Sequence, residues 1–438
     1  MNSKILVGKA IKFNPSELIS KGSVAKKIPM GALTEFQRKI NGFEYSEYNS
    51  GPKFRNGDTL VAKITPCLEN GKTAFVDILE NDEVAFGSSE FIVLRRTEYT
   101  TPEFIYYFAR SPLFRERAIS CMEGTSGRKR VNENSLKNLE FIFPDLTTQK
   151  SIAKVLSDLD AKIELNNKIN RELEAMAKTL YDYWFVQFDF PNAYGKPYKS
   201  SGGKMVYNAE LKREIPEGWA VKKLGDLGDF KNGVNYDPSN PGEIACPIIN
   251  VRNISASSFF IKNEDLDIIY LRESDVRKYS VNAGSIIIAR SGIPGATRMI
   301  SDIAENTLYC GFAIHYSLNN LGFKIPVFFF LKSLEEHIQS GSGGTILKNV
   351  NQGTLNALKI VLPKEDSTVS KFNNLIEPIF GKITNVQRQN QHLTALRDWL
   401  LPMLMNGQVT VRQAHGNAVQ EAEDKLSMAA EPSVKYGS

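Results

Sequence analysis

The second half of this chain repeats the first at an offset close to 220 residues, which confines it to folds made of two copies of one unit related by a pseudo-two-fold axis. Gly57-Asp58-Thr59-Leu60-Val61-Ala62-Lys63 answers to Gly284-Ser285-Ile286-Ile287-Ile288-Ala289-Arg290. Both read as a glycine turn, a buried strand and a cation at the strand's end. Tyr106-Tyr107-Phe108-Ala109-Arg110-Ser111 matches Phe328-Phe329-Phe330-Leu331-Lys332-Ser333, each a short predicted helix with an aromatic face for a core. Gly124-Thr125, Val131-Asn132 and Leu136 to Leu139 then match Gly344-Thr345, Val350-Asn351 and Leu355 to Leu358, and the copies close at Pro144 and Pro363.

After each closing proline the apolar positions step by alternating fours and threes, the spacing of a coiled-coil seam. The first seam is Ile152, Leu156, Leu159, Ile163, Asn166, Asn170, Leu173, Ala177, Leu180 and Trp184. Adding 220 to every number gives Phe372, Ile376, Ile379, Ile383, Val386, Asn390, Leu393, Arg397, Leu400 and Leu404. Two long seams in one chain most simply pair with each other, and the unit between them lets the chain return. The spacing therefore predicts an antiparallel intramolecular coiled coil in which Asn170 meets Asn390 near the middle and fixes the register. Amides pointing to solvent or to a third helix remain the alternative. Pro402 is expected to end or kink the second helix.

The expected fold class is α+β: two α/β units separated by two long helices, with internal pseudo-two-fold symmetry. The boundaries expected are a first unit over 1–145, a helix over 146–190, a linker over 191–215, a second unit over 216–364, a helix over 365–412 and a polar tail over 413–438. The linker is rich in Pro, Gly, Ser, Tyr and Lys and has no period.

Of the 438 residues 42% are hydrophobic, enough for real cores, and the net charge of +5 is too small to imply a polyanionic partner by itself. Charge distribution has to carry that argument. From Arg110 to Asn132 six bases face only Glu116 and Glu123. Cys67, Cys121, Cys246 and Cys310 have no CxxC spacing and the four histidines form no HExxH, so neither a zinc site nor a disulfide framework is indicated. The longest apolar stretch, Ile325 to Leu331, is far too short for a membrane span, and a cytoplasmic protein with reduced thiols is expected.

Catalytic motifs are missing from the sequence. There is no GxxxxGK[ST] loop, no glycine-rich dinucleotide turn and no Asn/Asp-Pro-Pro-aromatic motif for a flipped adenine. The run Gly341-Ser342-Gly343-Gly344 opens no helical pattern and reads as a loop. Asp158-Leu159-Asp160-Ala161-Lys162 imitates the end of a nuclease metal site, but it lies on the seam and reads as a helix face.

Bases and amides on loops remain, duplicated in both halves. Arg and Lys at element ends suit phosphate oxygens, and Asn, Ser and Arg in loops can bond base edges. The candidate DNA contacts are Lys63, Arg110, Ser126, Arg128, Lys129, Arg130 and Asn132 in the first unit, and Arg290, Ser291, Arg298, Lys332, Lys348, Asn349 and Asn351 in the second. For any one base, a plain solvated surface is the competing reading. The aromatic run Tyr181, Tyr183, Trp184, Phe185, Phe188 and Phe190 either stacks unpaired bases or clamps a helix end to the next unit.

Taken together these residues resemble the specificity (S) subunit of type I restriction-modification systems, over the chain to about residue 412. The resemblance rests on the two units, on Gln149, Ile152, Ala153 and Leu156 leading to Tyr183-Trp184-Phe185, and on the linker over 195–205. It rests also on Ile215-Pro216-Glu217-Gly218-Trp219 opening the second unit and on Leu400-Leu401-Pro402 with Leu404-Met405-Asn406-Gly407. The first unit has no such Pro-x-Gly-Trp opening.

The resemblance implies two target recognition domains, each reading half of a gapped double-stranded DNA sequence, and no active site in this chain. It implies two bound methyltransferase (M) subunits and restriction motor-nuclease (R) subunits. S-adenosylmethionine, ATP and Mg belong on those partners and no cofactor on this chain. A helix of roughly 33 residues is about 50 Å long, equivalent to roughly 15 base pairs, so the helices are expected to space the half-sites. Competing readings are a coiled-coil scaffold with no DNA role, the specificity subunit of a related restriction-modification system outside type I, and a free-standing nuclease or methyltransferase.

Overall fold

The computed structural model describes residues 3–125, 127–237, 239, 241–262, 266–339 and 350–411. They divide into two compact units, one from residues up to 165 together with 392–411, the other from residues between 166 and 391. Each unit mixes helix and strand, and each is built on one plan.

The first unit centres on a four-stranded antiparallel sheet in the order Ile11–Phe13, Phe91–Arg96, Thr59–Ala62, Thr73–Phe75. Thr59–Ala62 is buried along its whole length because the sheet has a core on each side. Alternation sends Val61, Phe75, Ile92 and Leu94 into a core shared with helix Pro102–Arg110. It sends Leu60, Ala74, Phe91 and Val93 into a second core. Beyond that core lies a sheet of Glu44–Glu47, Val24–Ile28, Ala85–Gly87 and Lys53–Phe54, with one parallel pairing, Lys27 to Phe86. Ser3–Leu6 pairs with Glu140–Phe143 and ties the unit's start to its end.

The second unit repeats this register. Its central sheet runs Gly228–Asn232, Ala313–Leu318, Ile286–Ala289, Thr297–Met299. Thr59 opposite Leu94 and Ala62 opposite Phe91 become Ile286 opposite Tyr316 and Ala289 opposite Ala313. Ile286, Ile288, Met299, Ile314 and Tyr316 face one core, while Ile287, Ala289 and Ala313 face the other. The parallel pairing recurs as Ile248 to Leu308, and the closing pair recurs as Trp219–Lys223 with Lys359–Pro363. Gly57 and Gly284 precede the matching strands with φ of 88° and 86°, and their N–H groups bond Val76 and Ile300. Only glycine takes that backbone without strain.

Two long helices, Leu146–Tyr181 and Asp366–Met405, contribute residues to both units. Asp145 caps the first, accepting from the Thr148 N–H at 2.9 Å. Gln149 is fully buried: it accepts from the Thr101 N–H and donates to the carbonyls of Tyr99 and Pro144, which explains a polar side chain inside a core. The second helix does not end at Pro402. It continues to Met405, because Leu400, Leu401 and Leu404 are buried in the first unit's core and hold the last turn. No helix among the described residues is long and apolar enough to cross a membrane.

Candidate nucleic-acid interface and helix seam

In the first unit Lys63 ends its strand beside the basic segment. Ile64 bridges Arg130, the Thr65 N–H bonds the Lys129 carbonyl, and the Val131 N–H bonds the Lys63 carbonyl. Backbone pairing thus brings Lys63, Lys129 and Arg130 together. The Lys63 ammonium lies 3.5 Å from Glu133. Arg130 is held by Glu90 through three hydrogen bonds of 2.7–3.1 Å, and this guanidinium keeps the Glu90 carboxyl below the usual carboxylate range. Arg128 and Lys129 are exposed and make no ion pair among the described residues. Ser126 lies outside the described residues.

Arg110 is not a DNA contact. It is 3% exposed, its Nη2 donates to Asp398 at 2.7 Å, and its Nε and Nη1 have no partner among the described residues. A side chain buried beneath a helix cannot reach a phosphate. Asn132 is likewise committed elsewhere: its side-chain oxygen caps helix Glu133–Lys137, and its amide donates to Glu123.

In the second unit Arg290 and Ser291 follow the matching strand. The Arg290 N–H bonds the Phe312 carbonyl at 2.9 Å, and Ser291 is exposed. Arg298 and Lys332 belong to the core rather than to a DNA surface. Arg298 is 5% exposed, donates to the carbonyls of Ser257 and Thr297, and is paired with Glu335 at 2.9 Å. Lys332 reaches the same carboxylate at 2.8 Å, and burial pushes its ammonium below the usual lysine range. Glu174, on the first long helix, accepts from Ser258 and is pushed up by burial. Asn351 repeats the role of Asn132, capping helix Gln352–Ala357 through the Thr354 N–H. Lys348 and Asn349, like the glycine run from 341, lie outside the described residues.

The seam residues Leu156, Ile376, Ile379 and Ile383 are buried, while Leu159, Ile163, Leu173 and Leu393 are half-buried. In the second unit the helices run antiparallel, as Asn166 beside Asn390 and Trp184 against Phe372 require. Asn170 does not meet Asn390. The Asn166 amide donates to Asn390 at 2.9 Å and Asn390 donates to Asn167 at 2.9 Å, one turn earlier than expected. Applying the repeat to the Asn166–Asn390 pair puts Asn170 opposite Val386, an apolar partner. The Asn170 Oδ1 is buried with no hydrogen-bond partner among the described residues.

In the first unit the helices are tied by charge. Arg397 bonds Asp160 at 2.7 Å and Asp398 at 2.9 Å, and the Tyr107 hydroxyl donates to Asp160. Burial opposes the charge on Arg397, but the two carboxylates overcome it and hold the guanidinium charged. A charged residue on an apolar seam was the signal for this pair, and a search for an acid on the facing helix would have found it. The aromatic run is a clamp: Tyr181, Trp184, Phe185, Phe188 and Phe190 are buried with Trp219 and Phe372, and Phe190 stacks on Trp219 at 5.1 Å. Among the described residues no three His, Cys, Asp or Glu side chains converge as a metal site.

Comparison with known proteins matches this arrangement to one family. The family model described as the type I restriction modification DNA specificity domain matches residues 8–175 and again 216–391, one match per copy of the repeat. The type I restriction enzyme MjaIX specificity subunit of Methanocaldococcus jannaschii is 28% identical over 323 residues, 71% of this chain and 70% of that protein. The HindI specificity subunit of Haemophilus influenzae is 26% identical over 411 residues, 81% of this chain and 87% of that one. The crystal structure of the type I restriction-modification S subunit from M. genitalium superposes with a TM-score of 0.51 over 92% of this chain and 95% of its own, at 16% identity, a likeness of fold.

Proposed function

This chain belongs to the family of type I restriction-modification DNA specificity subunits, and on that premise we propose that each of its two units reads one half of a gapped DNA target. We take residues 1–145 and 216–364 as the readers, 191–215 as the linker, and the helices within 146–190 and 365–412 as the spacer that sets the unread gap. The helices also dock two methyltransferase subunits, which carry S-adenosylmethionine, and restriction subunits carry ATP and Mg. This chain is the non-catalytic member, and its partner in sequence recognition is double-stranded DNA.

One observation supports two readers most directly. Both units set a cation at the end of the same strand in the same register, Lys63 and Arg290, yet the exposed side chains around it differ. Backbone identity supplies two equivalent platforms, and side-chain difference lets them read different bases. In the first unit Arg128, Lys129, Arg130 and Lys63 are the contacts we retain; in the second they are Arg290 and Ser291.

Sequencing modified adenines in cells that carry this chain with its methyltransferase tests the reading. The expected result is two short specific blocks separated by a fixed number of unread positions. A continuous motif, or methylation without a motif, would overturn it.

A further inference from the structure

The same turn is built twice beside those cations. In the first unit the Ser88 N–H bonds the Ile28 carbonyl, the Phe91 N–H bonds the Ser88 carbonyl, and the Lys63 N–H bonds the Glu90 carbonyl. In the second the Cys310 N–H bonds the Ile249 carbonyl, the Ala313 N–H bonds the Cys310 carbonyl, and the Arg290 N–H bonds the Phe312 carbonyl. Glu90 and Phe312 are therefore equivalent positions on a turn fixed by three backbone bonds in each unit.

The side chains they present are opposite in kind. Glu90 offers a carboxylate oriented by Arg130. Phe312 is 64% exposed, the most exposed phenylalanine among the described residues, on a turn held by three backbone hydrogen bonds. A lone exposed apolar side chain is ordinary on a protein surface. What distinguishes this one is its place: a rigid turn, next to the cation that ends the central strand, where the other unit places a polar pair. In the major groove a carboxylate accepts from a base amino group and a guanidinium donates to guanine, whereas an apolar side chain recognises the thymine methyl.

We propose that Glu90 and Phe312 are matching specificity-determining positions, and that Phe312 reads a thymine methyl in the half-site of the second unit. This rests on the DNA-reading function proposed above. Glu90 with Arg130 reads by hydrogen bonds; Phe312 reads by apolar contact.

The test uses the chain assembled with its methyltransferase, on duplexes in which each thymine of the second half-site is replaced in turn by uracil, which lacks only the methyl. At one position the unaltered complex is expected to lose about fourfold in affinity, the value of one buried methyl group. Phe312→Ala should bind the thymine duplex about fourfold more weakly and lose its response to uracil there. Phe312→Leu, which stays apolar, should keep that response. Neither variant should alter discrimination in the other half-site. Unchanged affinity and unchanged uracil response in Phe312→Ala would overturn the assignment, as would a second half-site with no A·T pair. A complex with no bipartite motif at all would instead overturn the DNA reading on which the assignment rests.

Discussion

Arg397 donates to Asp160 across the facing long helices at 2.7 Å, and both side chains are nearly buried. The repeat maps this pair onto Ala177 and Phe380 in the second unit, where both are part of an apolar core. One crossing is ionic and the equivalent one is greasy, although the seam spacing is the same. Breaking a buried ion pair by removing one partner leaves the other charge stranded. Arg397→Met should therefore destabilise the first unit by about 3 kcal/mol, read as faster amide exchange in the strands 59–62 and 91–96 and not in 286–289. Asp160→Phe combined with Arg397→Ala, which copies Phe380 and Ala177 of the second unit, should recover part of that loss. A double variant no better than the single one would contradict this account.

Asn170 is expected to behave in the opposite way to its neighbours on the seam. Its Oδ1 is buried without a hydrogen bond among the described residues, so Asn170→Leu should stabilise the helix pair by about 1 kcal/mol. Asn390→Leu should destabilise it by about 1–3 kcal/mol, because Asn166 and Asn167 both lose their partner. Urea unfolding of the two variants measures both signs, and equal effects would refute the asymmetry.

His315 gives the second unit a pH dependence of known sign. Burial, with the nearby Lys231 charge, pushes its imidazole down to about 4 from an ordinary 6.5. The unfolded chain then binds a proton that the folded one refuses between those values. The contribution is present above pH 6.5 and is lost as pH falls through about 4. It amounts to about 3 kcal/mol at most. His315→Gln should flatten the difference in stability between pH 7 and pH 4 by up to that amount, measured by denaturant midpoints at each pH. A variant with an unchanged pH slope would show that the imidazole is not held neutral.

Arg128 and Lys129, exposed and unpaired among the described residues, should act on DNA affinity alone. Changing both to Ala should weaken binding by the assembled complex without moving the motif, and should reduce the slope of log affinity against log salt by about 1.8 if each meets one phosphate. Arg110→Met should instead lower stability, since Arg110 lies under the second helix with Asp398. A salt slope indifferent to Arg128 and Lys129 would favour a scaffold without a DNA role.

The repeat was legible in the sequence because both its carriers are apolar patterns: the strands at 59–62 and 286–289 and the helical seams survive duplication as hydrophobic spacing. What the sequence hid was which polar residues turn inward. Arg110, Arg298 and Lys332 look like surface bases in a one-dimensional reading, and only the packing reveals the carboxylates Asp398 and Glu335 that neutralise them. The same limit applies to Asn132 and Asn351, where a helix cap and a base contact call for the same amide. The seam spacing pairs Asn170 with Asn390, one helical turn from the observed Asn166, because it sets the face of a helix but leaves its longitudinal register to the partner. The equivalence of Glu90 and Phe312 lies in backbone hydrogen bonds, which residue types that share nothing do not signal.

The central claim is that each unit reads its own half of the target, and exchange of one unit tests it most directly. Residues 219–362 are replaced by the equivalent unit of a relative with a different target, and methylated adenines are mapped in cells carrying the assembled complex. The account predicts that one half of the motif changes to the relative's, while the other half stays as it was. A change in both halves, or in neither, would contradict it.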